Sequence, residues 1–223
     1  EITYGDWSSD VCSSDLNFTI IDKEGLRQYP ESETLLFLLI RNLGFVFEQC
    51  SSVMNSADSG AVYMAGDCRM VLDRNSIVIY YEDPIFHDES IEVEPDDSIV
   101  KLASGHLTFD RLEGMNLDAL KKTDEFKTET TAYLDADKVK YPVTIRRVKS
   151  GDRFHPLGVQ GSKLISDFFT DNKTTLIERL KSYVIISNNE IMWLAPHRID
   201  HRFKINENTS EIIRIRISSN LNQ

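Results

Sequence analysis

Between Glu31 and Leu43 apolar residues recur at helical spacing, with Leu35, Leu38, Leu39 and Leu43 on one stripe and Gly44 as a stop. The pattern predicts an amphipathic helix there, and a shorter one over Phe47–Ser56 with Phe47, Cys50 and Met54 on one face. Beyond it the period shortens. Ala61–Met64, Arg69–Leu72 and Ile77–Tyr81 read as strands, the last two joined across Asp73-Arg74-Asn75-Ser76. Glu82–Asp97 is acidic, carries Pro84 and Pro95, and predicts a surface connection. Ile99–Leu112 adds strand-like pieces, whereas Asp118–Thr130 is polar and supports no assignment.

The signals sharpen after Tyr141. Val143–Val148 reads as a strand, followed by a turn-rich stretch punctuated by Gly151, Pro156, Gly158 and Gly161. Ser166 is expected to cap a helix through Asp167–Phe169, because a serine oxygen accepts an orphan backbone N–H. Thr175–Lys181 predicts a further helical turn or two. Tyr183–Ile186 and Ile191–Ala195 read as buried strands around the turn Ser187-Asn188-Asn189-Glu190. In Ile212–Ile217 the alternation is clean: Ile213, Ile215 and Ile217 face one way, Arg214 and Arg216 the other. The predicted fold class is α+β, a short helical segment followed by a compact mixed α/β C-terminal domain.

Composition changes this picture little. The 223 residues are 41% hydrophobic and 27% charged, as in ordinary globular proteins. The longest apolar run, Leu35–Ile40, falls far short of the ~18 residues a membrane-spanning helix needs. Cys12, Cys50 and Cys68 form no CxxC pair, which argues against a disulfide framework and a zinc site and for a reducing cytoplasm. Asp6–Leu16, DWSSDVCSSDL, reads as a translated sequencing adapter, so residues 1–16 are set apart and the genuine protein is expected to begin near Asn17. The alternative is a genuine leader without packed structure.

Charge changes it more. The formal net charge of -11 speaks against a nucleic-acid partner. Yet Lys138–Ser218 holds fifteen Lys and Arg against eight Asp and Glu, a balance of +7, leaving ten basic and 28 acidic residues elsewhere, a balance of -18. Such asymmetry suits a chain of which one part binds a polyanion, or a domain with a solvated basic face.

Candidate chemistry is sparse. There is no GxxxxGK[ST], GxGxxG or GxSxG, so no ATP-phosphate cradle, catalytic residue or cofactor site is expected in this chain. His197 and His201 stand four apart, but Pro196 precedes them and no glutamate base lies between, so a cationic loop is preferred to a metal site. The carboxylate pairs Asp96/Asp97 and Asp135/Asp137 are expected to be solvated. What remains is a density of cations on turns: Arg146, Arg147, Arg153, Lys163, Lys173, Arg198, Arg202 and Lys204, with Lys149, Arg179 and Lys181 nearby. Arginine forks and lysine ammoniums on loops suit phosphate oxygens. Asp152 and Asp200 are expected to orient neighbouring arginines.

IRRVKSGDRFHPLG (Ile145–Gly158), GSKLISDFF (Gly161–Phe169) and HRIDHRFK (His197–Lys204) occur in that order and closely resemble the C-terminal domain of bacterial tRNA(Ile)-lysidine synthetases. AYLDADKVKYPVTIRR (Ala132–Arg147) resembles the same family, and LLFLLIRNLGFVFEQ (Leu35–Gln49) its helical middle domain. The chain departs from the family at Leu164, where a second lysine is usual, and at Pro196, where glycine is usual. The resemblance implies an ATP-dependent ligase that adenylates carbon 2 of the wobble cytidine of isoleucine tRNA and attaches free lysine there. ATP, magnesium and lysine would belong to an N-terminal catalytic domain in cis, outside this chain. Residues 17–81 are then expected to be a remnant of the helical tRNA-recognition domain with a hairpin, 82–131 an acidic connection, and 132–218 a basic tRNA-binding domain. The eight cations named above become tRNA contacts, with Arg147, Arg153, Arg198 and Arg202 expected on one continuous surface. A homodimer is left open. The alternative is a stand-alone regulatory or protein-interaction module.

Overall fold

The computed structural model describes residues 18–81, 90–102, 105–114 and 117–219. The segment 1–16 and Pro84 lie outside the described residues. The chain divides into two compact units, Glu1–Pro84 and Ile85–Leu221.

In the first unit, β1 (Phe18–Asp22), α1 (Lys23–Arg27), α2 (Ser32–Ile40) and α3 (Phe47–Asn55) precede β2 (Val62–Ala65), β3 (Cys68–Asp73) and β4 (Ser76–Tyr81). The strands form one antiparallel sheet in the order β1-β4-β3-β2. Leu36 and Ile40 of α2 and Cys50, Val53 and Met54 of α3 close a core with Cys68, Met70, Leu72, Ile77 and Ile79 from β3 and β4. Helix α2 passes through a 3₁₀ turn, Arg41–Leu43, and stops where Gly44 takes φ +90°, a conformation that side chains disfavour. Phe47, expected on the buried face, is 41% exposed and lies edge-on to Phe37, with ring centroids 5.9 Å apart. Val53 takes its place in the core, because α3 turns Cys50, Val53 and Met54 inward. Two cations finish α3: Lys23 Nζ donates to the Ser56 carbonyl (2.6 Å) and Arg27 Nη2 to the Met54 carbonyl (2.9 Å). These are acceptors a helix end leaves without intrahelical partners.

The second unit is built on two sheets. One has the order β14-β13-β12-β9-β5, from β5 (Ile91–Val93), β9 (Val143–Arg147), β12 (Tyr183–Ser187), β13 (Glu190–Ala195) and β14 (Arg198–Ile199). The other has the order β6-β7-β15-β8, from β6 (Ile99–Leu102), β7 (Gly105–Glu113), β8 (Thr131–Asp135) and β15 (Glu211–Ser219). Leu107, Phe109, Leu134, Ile213 and Ile215 of the second sheet meet Val143, Ile145, Ile185 and Trp193 of the first, forming the main core. On the far side of the five-stranded sheet, α5 (Ile165–Asp171) packs Ile165, Phe168 and Phe169 against Val184, Ile191 and Leu194. Helix α4 (Leu117–Leu120) and the 3₁₀ turn Glu125–Lys127 lie over the four-stranded sheet, where Leu120 and Phe126 join Tyr133 and Ile212.

Local chemistry explains the boundaries. Thr175 caps α6 (Leu176–Lys181) in a reciprocal box with Glu178, whose carboxylate accepts the Thr175 N–H at 2.7 Å. Asn188 and Asn189, with φ 49° and 64°, make the tight turn between β12 and β13 that the sequence predicts. Ser166 is not the cap of its helix. A two-residue strand, β11 (Lys163–Leu164), runs directly into α5, so the helix starts at Ile165 and Leu164 occupies the capping position. Residues 91–93, 99–102 and 105–113, which the sequence reads as connection or uncertain strand, are ladder members of the two sheets.

Candidate nucleic-acid interface

The three basic segments fold onto one another. Leaving β9, the chain turns at Asp152, whose carboxylate accepts from Arg146 Nη1 and Nη2 (2.8 and 2.8 Å) and from the Lys149 N–H (2.7 Å). It then enters β10 (Arg153–Phe154), which pairs antiparallel with β11, Arg153 opposite Leu164 and Phe154 opposite Lys163. Phe154 anchors this hairpin: it is fully buried and meets Phe168 edge-on at 5.4 Å. The hairpin's first arm is stitched to the segment after β13. Leu157 N–H donates to the Ile199 carbonyl (3.0 Å), His201 N–H to the His155 carbonyl (2.7 Å), and His155 N–H to Asp200 Oδ2 (2.7 Å).

Asp200 is the centre of this junction. It is 0% exposed, yet its Oδ1 accepts the Arg202 backbone N–H (2.9 Å) and Nε (2.9 Å), and its Oδ2 accepts Arg202 Nη2 (2.9 Å) in addition to His155 N–H. Burial alone would raise this carboxyl, but the hydrogen bonds from the Arg202 side chain and from the two backbone N–H groups together hold it below its ordinary range. The same carboxylate raises Arg202. Arg202 Nη1 also pairs with Glu190.

The eight predicted contacts separate into groups. Arg153 is exposed and steadied by Ser162 through Nε (3.1 Å) and Nη2 (3.2 Å). Arg198 is exposed on the edge strand β14. Lys173 is exposed in a left-handed backbone position, and Lys163 pairs with Asp171. Arg202 and Lys204 are partly exposed, the latter bridging Leu134 through its backbone. Arg146 and Arg147 are structural instead. Arg146 is locked in the fork with Asp152. Arg147 is only 9% exposed, donates Nη1 to the Leu180 carbonyl (2.7 Å) and lies over the Tyr183 ring at 4.0 Å. Burial pulls its guanidinium below the usual range. The alternation of β9 is the reason: Val143, Ile145 and Arg147 share the inward face. The expectation that Arg147 shares a surface with Arg153, Arg198 and Arg202 therefore fails.

Other sequence candidates also resolve. His197 is partly buried, with Nε2 2.8 Å from Ser182 Oγ and its ring edge-on to Phe169, whereas His201 is exposed. Burial lowers His197, against weaker opposing effects of Glu129 and Glu178. Asp135, expected to be solvated, is buried beside Lys138 (3.1 Å), while Asp137 is exposed as expected. Asp97 accepts the Glu94 N–H at 2.8 Å. Part of the +7 balance is spent internally. Arg214 and Arg216 pair with Asp110 and Glu125, acids outside the basic segment.

The chain is thus an α+β protein in two units, the second carrying a loop-borne basic surface tied to one buried carboxylate. Comparison with known proteins adds a resemblance. Residues 14–83 match the family model of the TilS substrate binding domain. The tRNA(Ile)-lysidine synthase of Parabacteroides distasonis is 28% identical over 193 residues, 84% of this chain and 42% of that protein. The tRNA(Ile)-lysidine synthase of Clostridium tetani is 42% identical over 87 residues, 38% of this chain and 18% of that protein. A crystal structure of the TilS C-terminal domain aligns with 60% of this chain and all of its own length at a TM-score of 0.49 and 17% identity. Over most of its length, then, the chain resembles tRNA(Ile)-lysidine synthases, and it spans less than half the length of the first of these relatives. Among the described residues no helix is long and apolar enough to cross a membrane.

Proposed function

We propose that this chain is the tRNA-recognition portion of an ATP-dependent tRNA(Ile)-lysidine synthetase, working in the cytoplasm. The parent enzyme would ligate lysine to carbon 2 of the wobble cytidine of isoleucine tRNA, with ATP, magnesium and lysine held by a catalytic domain in cis. The part played by this chain is to bind and orient the tRNA. The observation that carries the reading is the junction at Asp200, which fixes two basic arms, Arg153 and Lys163 on the hairpin and Arg198, Arg202 and Lys204 beyond β13, before any ligand arrives. Lys173 follows α5 and extends the set. Cations held in advance lose less freedom on binding than flexible ones. Structured RNA is gripped through phosphates and 2′-hydroxyls more than through base edges, so a rigid cationic surface suits it. The match of residues 14–83 to a substrate-binding family supports a second area of contact in the first unit.

The test is binding of the whole chain to unmodified isoleucine tRNA across a salt series. Affinity should fall steeply with salt, and Arg153→Ala/Arg198→Ala should reduce the log–log slope by about 1–2, one contact being worth ~0.7–0.9. Arg147→Met should leave that slope unchanged. A folded chain that binds no tRNA at low salt ends the reading.

A further inference from the structure

His155 lies inside the first basic motif yet is not among the eight expected tRNA contacts, and its side chain has unusual surroundings. Its main chain is fixed at both ends, N–H to Asp200 and carbonyl from His201 N–H. Its Nδ1 is buried without a hydrogen-bond partner and stands 3.6 Å from Asp200 Oδ2, too far for a hydrogen bond and close enough for an ion pair. The side chain is nevertheless 38% exposed. The partly exposed imidazole thus has Nδ1 toward a buried carboxylate, on the arm that carries Arg153 where it is stitched to the segment that carries Arg198.

The charges around it are unevenly matched. Asp200 already serves Arg202, and Glu190 serves Arg202 as well, so two carboxylates share one guanidinium. With His155 neutral this group carries a surplus of one negative charge, which opposes an approaching phosphate. With His155 protonated the surplus is gone, and the partly exposed ring carries a positive charge. Other charged groups on these arms are Arg153 beside it in sequence, Arg198 and His201 on the facing segment, and Lys163 on β11, paired with Asp171 at the end of α5. We propose that His155 is a further contact to the RNA backbone, taking a proton from solvent as a phosphate docks, with Asp200 as the positioning residue. This rests on the tRNA-binding reading and adds a residue and a pH dependence to it.

Proton uptake linked to binding makes affinity fall by up to tenfold per pH unit for each proton taken up. Binding of the whole chain to isoleucine tRNA is measured at fixed salt near pH 6 and near pH 8, between which imidazoles change charge. The wild type should bind about fivefold or more tightly at the lower pH, and His155→Gln should cut that ratio to about twofold or less. His201→Gln should keep the wild-type ratio. Equal pH dependence in the wild type and His155→Gln overturns the role of His155 while tRNA binding stands. Absence of wild-type binding at any pH overturns both.

Discussion

Replacing Asp200 by Asn tests whether one buried carboxylate holds the candidate surface together. The substitution keeps size and shape but converts one oxygen into an amide NH2. An Oδ1 acceptor can still serve the Arg202 N–H and Nε. The two donors at Oδ2, His155 N–H at 2.7 Å and Arg202 Nη2 at 2.9 Å, would then face another donor. A buried donor left unsatisfied costs about 1–3 kcal/mol. The Arg202 side chain is 36% exposed, so water recovers much of its share, and the screened ion pair adds under about 1 kcal/mol. The expected loss is about 2–4 kcal/mol, or a fall of about 1–2 M in urea midpoint at an m of ~2 kcal/mol/M. The transition is read by the fluorescence of Trp193, which is buried in this unit. Because the folded carboxyl lies below its unfolded value, its contribution is complete above about pH 4 and disappears as pH falls through the folded value. The gap between the two proteins should stay constant from neutral pH to about pH 5 and narrow below about pH 4. A loss under about 0.5 kcal/mol would refute the reasoning, because the donors would then have other acceptors.

Two further outcomes follow from burial. His197, held below its ordinary range, contributes stability that is present above about pH 6.5 and is lost as pH falls toward its folded value. Urea midpoints should drop between about pH 7.5 and pH 5.5, and His197→Gln should flatten that drop. Burial raises the thiols of Cys50 and Cys68, so both should resist alkylation in the native chain and react once it is unfolded, as peptide mass mapping after a labelling pulse would record.

Much of the fold was legible where burial followed a simple period. The helix before Gly44, the strands around Asp73–Ser76, and the alternation of Ile213, Ile215 and Ile217 each correspond to an element, but the helix turns Leu36 and Ile40 inward and leaves Leu38 and Leu39 of the expected stripe 50% and 61% exposed. Other features were hidden for identifiable reasons. Phe18–Asp22 carries an edge strand without clean alternation, and the acidic context of Ile91–Val93 disguises an edge strand of the larger sheet. Arg147 looked like its neighbour Arg146 by composition, but the period of Val143 and Ile145 already directs it inward. Asp152, six residues after Arg146, was recognised as an orienting partner, and the bidentate pair is there. The junction at Asp200 joins positions 45 residues apart, a pairing that no local period encodes. His155 went unnoticed because nothing near it in sequence marks the carboxylate it faces.

Position 155 is gripped by its peptide groups, so the junction with Asp200 holds through the main chain whichever side chain stands there. Such a site is open to change at low cost: exchanging the residue leaves the scaffold intact while altering what is offered to a ligand. Asp200 has no such latitude, since backbone and guanidinium both depend on it. Drift among descendants of this chain should therefore be permitted at 155 and forbidden at 200, giving the surface a fixed frame in which its chemistry can be retuned one residue at a time.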